Sequence, residues 1–392
     1  MKADTLPSAL QFQSDYWHSK IAIRHKHLGI WHEKSWLDIK LEISRLATML
    51  KINGFRAGDK LYLLTDPRPE ALLISIAAQW LGGVSAPLDI NDNEAKNVEL
   101  LQKLKPSYVF AEGQFQVDLV QKLDLQVKII IYADARGLSG YQHGVLKSYS
   151  ALCALENPVF NEPAHATSND VAFVFFRLDA ALQTEVEYLT HADMLTQGAV
   201  LIDQEKLTAK EEAFAARTFA ASGHMRYLLA PWLLAGFTLN FPENINTRDL
   251  DRREIGPTLV AGTLQTYQRL ESLIYSRLPA PGSFRRSIYD WSLKSHERPS
   301  PIRNGLAHWL IIRPLKDVLG FSYTRVPLLV GEQLSASSAH FFASLGIHVK
   351  HWPNVTDWHN AHDIPHLKTK LSFEQFDNST LTINHSELGG IT

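Results

Sequence analysis

The chain has 392 residues, of which 45% are hydrophobic, and a formal net charge of −2. This composition predicts a globular protein with a large core. The near-neutral charge argues against nucleic-acid binding and against attraction to an anionic membrane.

Cys153 is the single cysteine, which excludes an internal disulfide framework and a four-cysteine zinc site. No apolar run reaches the roughly 18 residues that span a bilayer. The N-terminus, M-K-A-D-T-L-P-S, has no signal-peptide pattern, so we expect a cytoplasmic protein.

Helices and strands alternate through the first half of the chain. Ser35 is the predicted N-cap of a helix with apolar residues at helical spacing, and Gly54 ends that helix. Pro69 begins a second helix, which a glycine pair ends. In chain order, the predicted elements are the helix Trp36–Leu50, the strand Lys60–Thr65, the helix Pro69–Leu81, the strand Val84–Leu88, the helix Asn93–Leu104, the strand Ser107–Ala111, the helix Gln114–Leu123 and the strand Val127–Tyr132.

The same alternation returns in the second half. Further strands are predicted at Val171–Phe176, Thr238–Phe241, Thr258–Val260 and Val326–Val330, and Pro279–Arg303 reads as a surface connection. Strands separated by helices imply parallel sheets that are covered on both faces. The predicted fold class is α/β, with two αβ layers rather than one oversized sheet.

The segment Phe176 to Leu195 reads F-R-L-D-A-A-L-Q-T-E-V-E-Y-L-T-H-A-D-M-L. It resembles the phosphate-loop motif of the adenylate-forming superfamily, which in acyl-CoA synthetases is close to Y-T-S-G-T-T-G-x-P-K-G followed by x-x-L-S-H-x-N. The tail L-T-H-A-D is retained, and its His191 corresponds to a histidine that caps a helix in the family. The family's glycines, hydroxyl residues and lysine are all replaced. The replaced positions are Arg177, Leu178, Asp179, Ala180, Ala181, Leu182, Glu185 and Val186.

These replacements remove the groups that bind a triphosphate in the family motif. Glycines allow backbone N–H groups to approach the phosphate oxygens, and a lysine supplies positive charge. Here the glycines become Asp179, Leu182 and Val186, and the lysine becomes Glu185. Neither Leu182 nor Val186 favours a positive φ. We therefore expect the segment Asp179–Glu187 to be an ordered turn or a helix extension packed by Leu182 instead of an open anion-binding loop.

The resemblance extends along nearly the whole chain. Several segments occur in the order found in long-chain acyl-CoA synthetases. They are H-L-G-I-W-H-E-K-S-W-L-D-I from His27, A-A-Q-W-L-G-G-V-S-A-P-L from Ala77, Y-A-D-A-R-G-L from Tyr132, L-L-A-G-F-T-L-N-F-P-E from Leu233, R-E-I-G-P-T from Arg253 and I-I-R-P-L-K-D-V-L-G from Ile311. Each segment alone is weak, but their shared order is specific.

A second family motif, Y-G-x-T-E, is partly retained. Thr356 keeps its threonine, and Asp357 replaces a glutamate that serves the phosphates and magnesium in the family. Pro353 stands where the family has an aromatic residue. The segment Phe376–Ile391 resembles the stretch before the family's ribose-binding aspartate, and the chain ends at Thr392.

The resemblance implies the large N-terminal domain of an adenylate-forming enzyme. We expect approximate subdomains at 1–165, 166–350 and 351–392, the last a small β-rich portion, and no C-terminal lid domain. The degenerate motifs predict a pseudoenzyme with no catalytic residue and no cofactor. ATP and magnesium would bind only if a separate C-terminal domain completed an ATP-dependent fatty acid–CoA ligase.

Two further functions remain open for the pseudoenzyme. It would act as a scaffold or regulatory partner, for instance of an active synthetase or another enzyme of its gene cluster. Alternatively it would hold an acyl or CoA-like ligand without turning it over. Neither nucleic acid nor a transmembrane segment is expected.

The chain has 17 histidines, but their arrangement gives little support to a metal site. His359, His362 and His366 lie close together in sequence, but Pro365 breaks any helix there. Solvated loop histidines are therefore predicted, and no metal ligand is assigned.

Overall fold

Two mostly parallel β-sheets organise the chain. The structure is a computed structural model that describes residues 3–91, 93–141, 144–154, 162–280, 282–284, 286–287 and 308–361. Its strands are β1 Ile21–His27, β2 Ile30–Ser35, β3 Lys60–Leu64, β4 Val84–Leu88, β5 Tyr108–Ala111, β6 Ile129–Tyr132, β7 Leu146–Ser148, β8 Val171–Leu178, β9 Thr184–Thr190, β10 Glu212–Phe214, β11 Thr238–Phe241, β12 Leu259–Gly262, β13 Val326–Val330, β14 Lys350–Trp352 and β15 His359–Asn360.

The eight-stranded sheet has the order β15-β9-β8-β4-β3-β5-β6-β7. Neighbours from β8 to β7 are parallel, whereas β9 pairs antiparallel with both β8 and β15. The seven-stranded sheet has the order β14-β13-β12-β10-β11-β1-β2 and is parallel except for the β1–β2 hairpin. Both sheets thus gather the carboxyl ends of their parallel strands at one edge, where open α/β sheets bind ligands.

Helices connect the strands. They are α1 Leu6–Trp17, α2 Trp36–Ile52, α3 Pro69–Trp80, α4 Glu94–Leu104, α5 Gln114–Lys122, α6 Tyr149–Ala154, α7 His191–Glu205, α8 Ser222–His224, α9 Ala230–Ala235, α10 Arg248–Ile255, α11 Leu264–Arg277, α12 Arg313–Leu319 and α13 Ala336–Ser344. Two π-helical turns, Met225–Leu229 and His308–Ile312, precede α9 and α12.

Local sequence signals begin these helices. Ser35 Oγ accepts the N–H of Asp38, whose carboxylate accepts the N–H of Ser35 in return, so a capping box starts α2. Pro69 lies in the first turn of α3, where its missing N–H costs no hydrogen bond. Except for Glu70, every residue of α3 is buried, so the helix lies inside the protein rather than on its surface.

One hydrophobic core joins the two sheets. It includes Leu61 and Phe173 of the eight-stranded sheet and Leu239 and Phe241 of the seven-stranded sheet. Smaller cores cover the outer face of each sheet. Within the central core Trp36 stacks on the ring of Trp232 at 4.8 Å, a pairing worth about 0.5–1.5 kcal/mol beyond its buried area.

The predicted α/β fold with two layers is confirmed. The sheets are interleaved along the chain, since β1 and β2 join the seven-stranded sheet while β8 and β9 join the other. The division at 165 and 350 remains a prediction. Most of the segments 279–303 and 351–392, including Phe376–Ile391, lie outside the described residues.

Candidate nucleotide site

The phosphate-loop positions form a β-hairpin. Arg177 and Leu178 end β8 and pair with Glu185 and Thr184 of β9. The residues 179–183 make the connecting turn. Val186, at the last glycine position, is fully buried in β9 and packs in the outer core of the eight-stranded sheet. A regular strand ladder therefore occupies much of the predicted loop.

The turn uses its own backbone donors. Asp179 N donates to Gln183 O at 2.9 Å, and Leu182 N donates to Asp179 O at 3.1 Å. Asp179 Oδ1 accepts the N–H groups of Ala181 at 2.8 Å and Gln183 at 2.7 Å. Four of the five N–H groups from 179 to 183 are thus donated within the turn. The predicted ordered turn is confirmed for 179–183, whereas Thr184–Glu187, predicted as part of the same turn or of a helix extension, belong to the strand β9.

The predicted role of Leu182 is wrong. Leu182 has φ +58° and a side chain that is 43% exposed, so it neither avoids the left-handed region nor packs the turn. The five-residue connection requires a left-handed residue, and here leucine takes that conformation at an energetic cost. Hydrogen bonds from Asp179, rather than apolar packing, hold the turn.

Two cations near the hairpin turn, Lys103 and Arg177, are both engaged. Lys103 of α4 donates to Leu182 O and pairs with Glu99 at 2.9 Å. Arg177 Nε donates to Glu185 Oε2 at 2.6 Å, and its guanidinium lies 4.2 Å from the ring centroid of Trp358. Cation–π and charge-assisted contacts both fix the guanidinium plane. Arg177 is therefore turned toward its own hairpin and toward Trp358.

A buried ion pair lies beside the hairpin. Arg226 Nη2 donates to Glu187 Oε1 at 2.7 Å, and both side chains are less than a tenth exposed. Arg226 Nη1 also donates to Asn354 Oδ1 at 2.7 Å and to Val355 O at 3.0 Å. Burial raises the pKa of Glu187, and the Arg226 charge opposes that rise. The pair was not predicted, because neither residue matches a motif; the only sequence signal is a charge amid apolar neighbours.

The second motif lies next to the first. β15 pairs with β9 through His359 opposite Val186 and Asn360 opposite Glu185. Thr356 and Asp357 precede β15 and are exposed. Asp357 Oδ2 lies 3.1 Å from His359 Nε2. The fold therefore brings the two sequence motifs together, but whether they bind a cofactor remains a prediction.

His191 does not cap its helix. Thr190 is the N-cap of α7, and its Oγ1 accepts the N–H of Asp193 at 3.1 Å. His191 occupies the first helical position, where its Nδ1 accepts the N–H of Leu6 at 3.2 Å. Burial lowers the pKa of His191 to about 4. The histidine therefore ties α1 to α7.

Among the described residues, no group of three or more His, Cys, Asp or Glu side chains is arranged to hold a metal ion. His362 and His366 lie outside those residues. None of the helices that the structure describes is long and apolar enough to cross a membrane.

Known proteins share this fold. Residues 10–176 match the family model of AMP-binding enzymes. MatB from Rhodopseudomonas palustris is 16% identical, with a TM-score of 0.63 over 90% of this chain and 60% of that one. The anthranilate CoA ligase AuaEII, in complex with anthranoyl-AMP, is 14% identical, with a TM-score of 0.66 over 88% of this chain and 58% of that one. The A-PCP didomain of a carboxylic acid reductase from Segniliparus rugosus, in complex with AMP, is 13% identical, with a TM-score of 0.68 over 91% of this chain and 52% of that one.

The chain shares the α/β fold of these proteins, and its residues 10–176 are similar to AMP-binding enzymes. The predicted resemblance to the adenylate-forming, AMP-binding superfamily is confirmed by the family match and by the shared fold. The chain spans 60% or less of the length of these three structures. No curated protein matches its sequence.

Proposed function

We propose that this chain is an adenylate-forming fold that does not adenylate carboxylic acids and that serves instead as a protein partner. The closed hairpin turn is the observation that supports the absence of adenylation. Its N–H groups at Asp179, Ala181, Leu182 and Gln183 donate within the turn, so they are not free to surround a phosphate. A triphosphate would have to break these hydrogen bonds before it gained any.

The negative charge of the hairpin also opposes binding of a triphosphate. Asp179 and Glu185 present carboxylates at the hairpin, and Arg177 is already paired with Glu185. Like charges 4 Å apart near a protein surface repel by about 4 kcal/mol. Losing one donor that stabilises a transition state typically costs about 10²–10³ in rate. Little adenylation should survive several such losses.

The core supports a partner role over an acyl-binding role. The cavity between the sheets, lined by Leu72, Phe219, Met225, Leu228 and Phe241 together with Arg217 and His224 among others, has a volume of about 20 Å³. That space accommodates a single water-sized group. An acyl chain would require this cavity to open. Its small size favours binding at the surface, with an active synthetase as the first partner to test.

Pyrophosphate release tests the catalytic half. The purified chain is mixed with Mg-ATP and a panel of fatty and aromatic acids, with and without the separately expressed C-terminal domain of an active synthetase. We expect no release above background in either case, while the intact synthetase serves as the positive control. Turnover at ordinary enzymatic rates, alone or with the added domain, would show that the chain is a ligase.

A separate experiment tests the proposed role as a protein partner. A synthetase encoded beside this chain's gene is assayed with and without the purified chain, and complex formation is followed by size-exclusion chromatography with light scattering. We expect a complex of defined stoichiometry. The absence of both binding and any rate change would reject the partner role without restoring catalysis.

A further inference from the structure

Four arginines meet at one cavity away from the hairpin. Arg217 follows β10, Arg248 and Arg252 lie on α10, and Arg269 lies on α11. They line a cavity of about 20 Å³ together with Thr266, beside the carboxyl ends of β10 and β12. The surrounding elements therefore place four cations at a sheet edge of the kind that binds ligands.

The four arginines have too few carboxylates nearby to balance their charge. Asp249 contacts Arg252 at 3.1 Å and donors of Arg269 on both of its oxygens. In the described part of the chain, it is the one carboxylate within 4.0 Å of any of the four guanidinium groups. Neither Arg217 nor Arg248 has an ion pair at that distance there. Asp89 attracts Arg217, and Asp249 and then Asp66 attract Arg248, from beyond that distance.

A polar atom at the cavity lacks a partner. Arg217 Nε is buried without a hydrogen bond, and its Nη1 makes only a long contact of 3.4 Å to Thr266 Oγ1. Burial, assisted by the Arg248 charge, lowers the pKa of Arg217. Burial lowers the pKa of Arg252 to about 10. Buried cations without counterions are costly, and a bound anion would offset that cost.

We propose that this cavity binds the phosphoryl group of a small phosphate monoester. Guanidinium groups match phosphate oxygens in geometry and form strong charge-assisted hydrogen bonds with them. The cavity has room for one phosphate oxygen, while the half-buried Arg248 and the partly exposed Arg269 contact the other oxygens from the rim. None of these residues belongs to the hairpin, so this site goes beyond the proposed function and does not depend on it.

The test combines calorimetry and thermal unfolding on the full chain. The probes are inorganic phosphate and glycerol 3-phosphate, with sodium chloride at matched ionic strength as the control for general screening. Arg217→Gln removes one unpaired cation of the cavity, and Arg248→Gln is the second variant if the first does not fold. Arg253→Gln is the matched control, because Arg253 lies on the same helix but pairs with Asp317 on the surface.

We expect both phosphates to bind and to raise the unfolding midpoint of the wild type. Arg217→Gln should weaken binding by about tenfold, the loss of one charge-assisted hydrogen bond. The same variant should unfold at an equal or higher temperature than the wild type when no phosphate is present, because a like charge is gone. Arg253→Gln should bind as the wild type does.

Three results would overturn the proposal. They are no binding at millimolar phosphate, an equal loss of binding in Arg253→Gln, and a response that sodium chloride reproduces. Binding of inorganic phosphate without glycerol 3-phosphate would reject the monoester.

Discussion

Leu182 holds the hairpin turn in a conformation that leucine adopts at a cost. Its φ of +58° lies in the left-handed region, where an L-residue pays roughly 1–2 kcal/mol. The resembled motif has a glycine at this position, and glycine adopts the left-handed conformation without this cost.

Leu182→Gly should stabilise the protein. Relief of the left-handed strain exceeds the added chain entropy, so we expect a gain of about 0.5–1 kcal/mol in the free energy of unfolding. Urea unfolding measures this gain. Ala181→Gly is the matched control, since its φ is not positive and glycine there should cost about 0.5–1 kcal/mol. A loss of stability in Leu182→Gly would show that the turn does not carry this strain.

At the scale of elements, Arg226 fastens β9 to the segment before β15. It spans Glu187 on one side and Asn354 with Val355 on the other. Removing one partner of a buried pair leaves the other charge unpaired, which costs more than the pair itself contributes.

Arg226→Met should therefore cost about 3–5 kcal/mol in the free energy of unfolding. The double variant Arg226→Met with Glu187→Leu should recover most of that loss, because no unpaired carboxylate remains buried. Chemical denaturation of the two single variants and the double variant gives the coupling energy. Additive losses would mean that the two side chains act independently.

The strand positions were largely readable from the sequence, whereas β9 was not. Val84–Leu88, Thr238–Phe241 and Val326–Val330 match the predicted strands because parallel strands buried on both faces are short apolar runs. β9 contains Glu185 and Glu187, which the sequence placed in an ordered turn or a helix extension. Its pairing with β8 and β15 depends on partners far along the chain, which no local pattern reveals. The contacts of Arg226 and the arginine cavity have the same tertiary origin.

At the scale of the whole molecule, two buried histidines couple stability to pH. His191 and His224 are both almost fully buried, and burial lowers the pKa of His191 to about 4 and that of His224 to about 3. In the unfolded chain a histidine titrates near about 6.5. Because the folded-state pKa is the lower one, the stabilisation is fully present above the unfolded pKa and is lost as the pH falls below it.

Acidification from about pH 6.5 to about pH 5 should therefore destabilise the fold by about 1.4 kcal/mol per pH unit for each histidine. Urea unfolding at a series of pH values measures this slope. His224→Gln should reduce the slope by the contribution of one histidine, because one side chain fewer takes up a proton on unfolding. An unchanged slope in that variant would mean that His224 is not buried in its neutral form.

We propose that the closed hairpin turn, and not charge alone, prevents nucleotide binding. Calorimetric titration of Mg-ATP into the wild type and into Glu185→Lys tests it most directly. Lysine restores the cation of the resembled motif but leaves the turn's N–H groups donated to Asp179 and Gln183. We predict no saturable heat for either protein at millimolar nucleotide. Micromolar affinity in the wild type would contradict the proposal outright, and micromolar affinity gained in Glu185→Lys would show that charge was the obstacle.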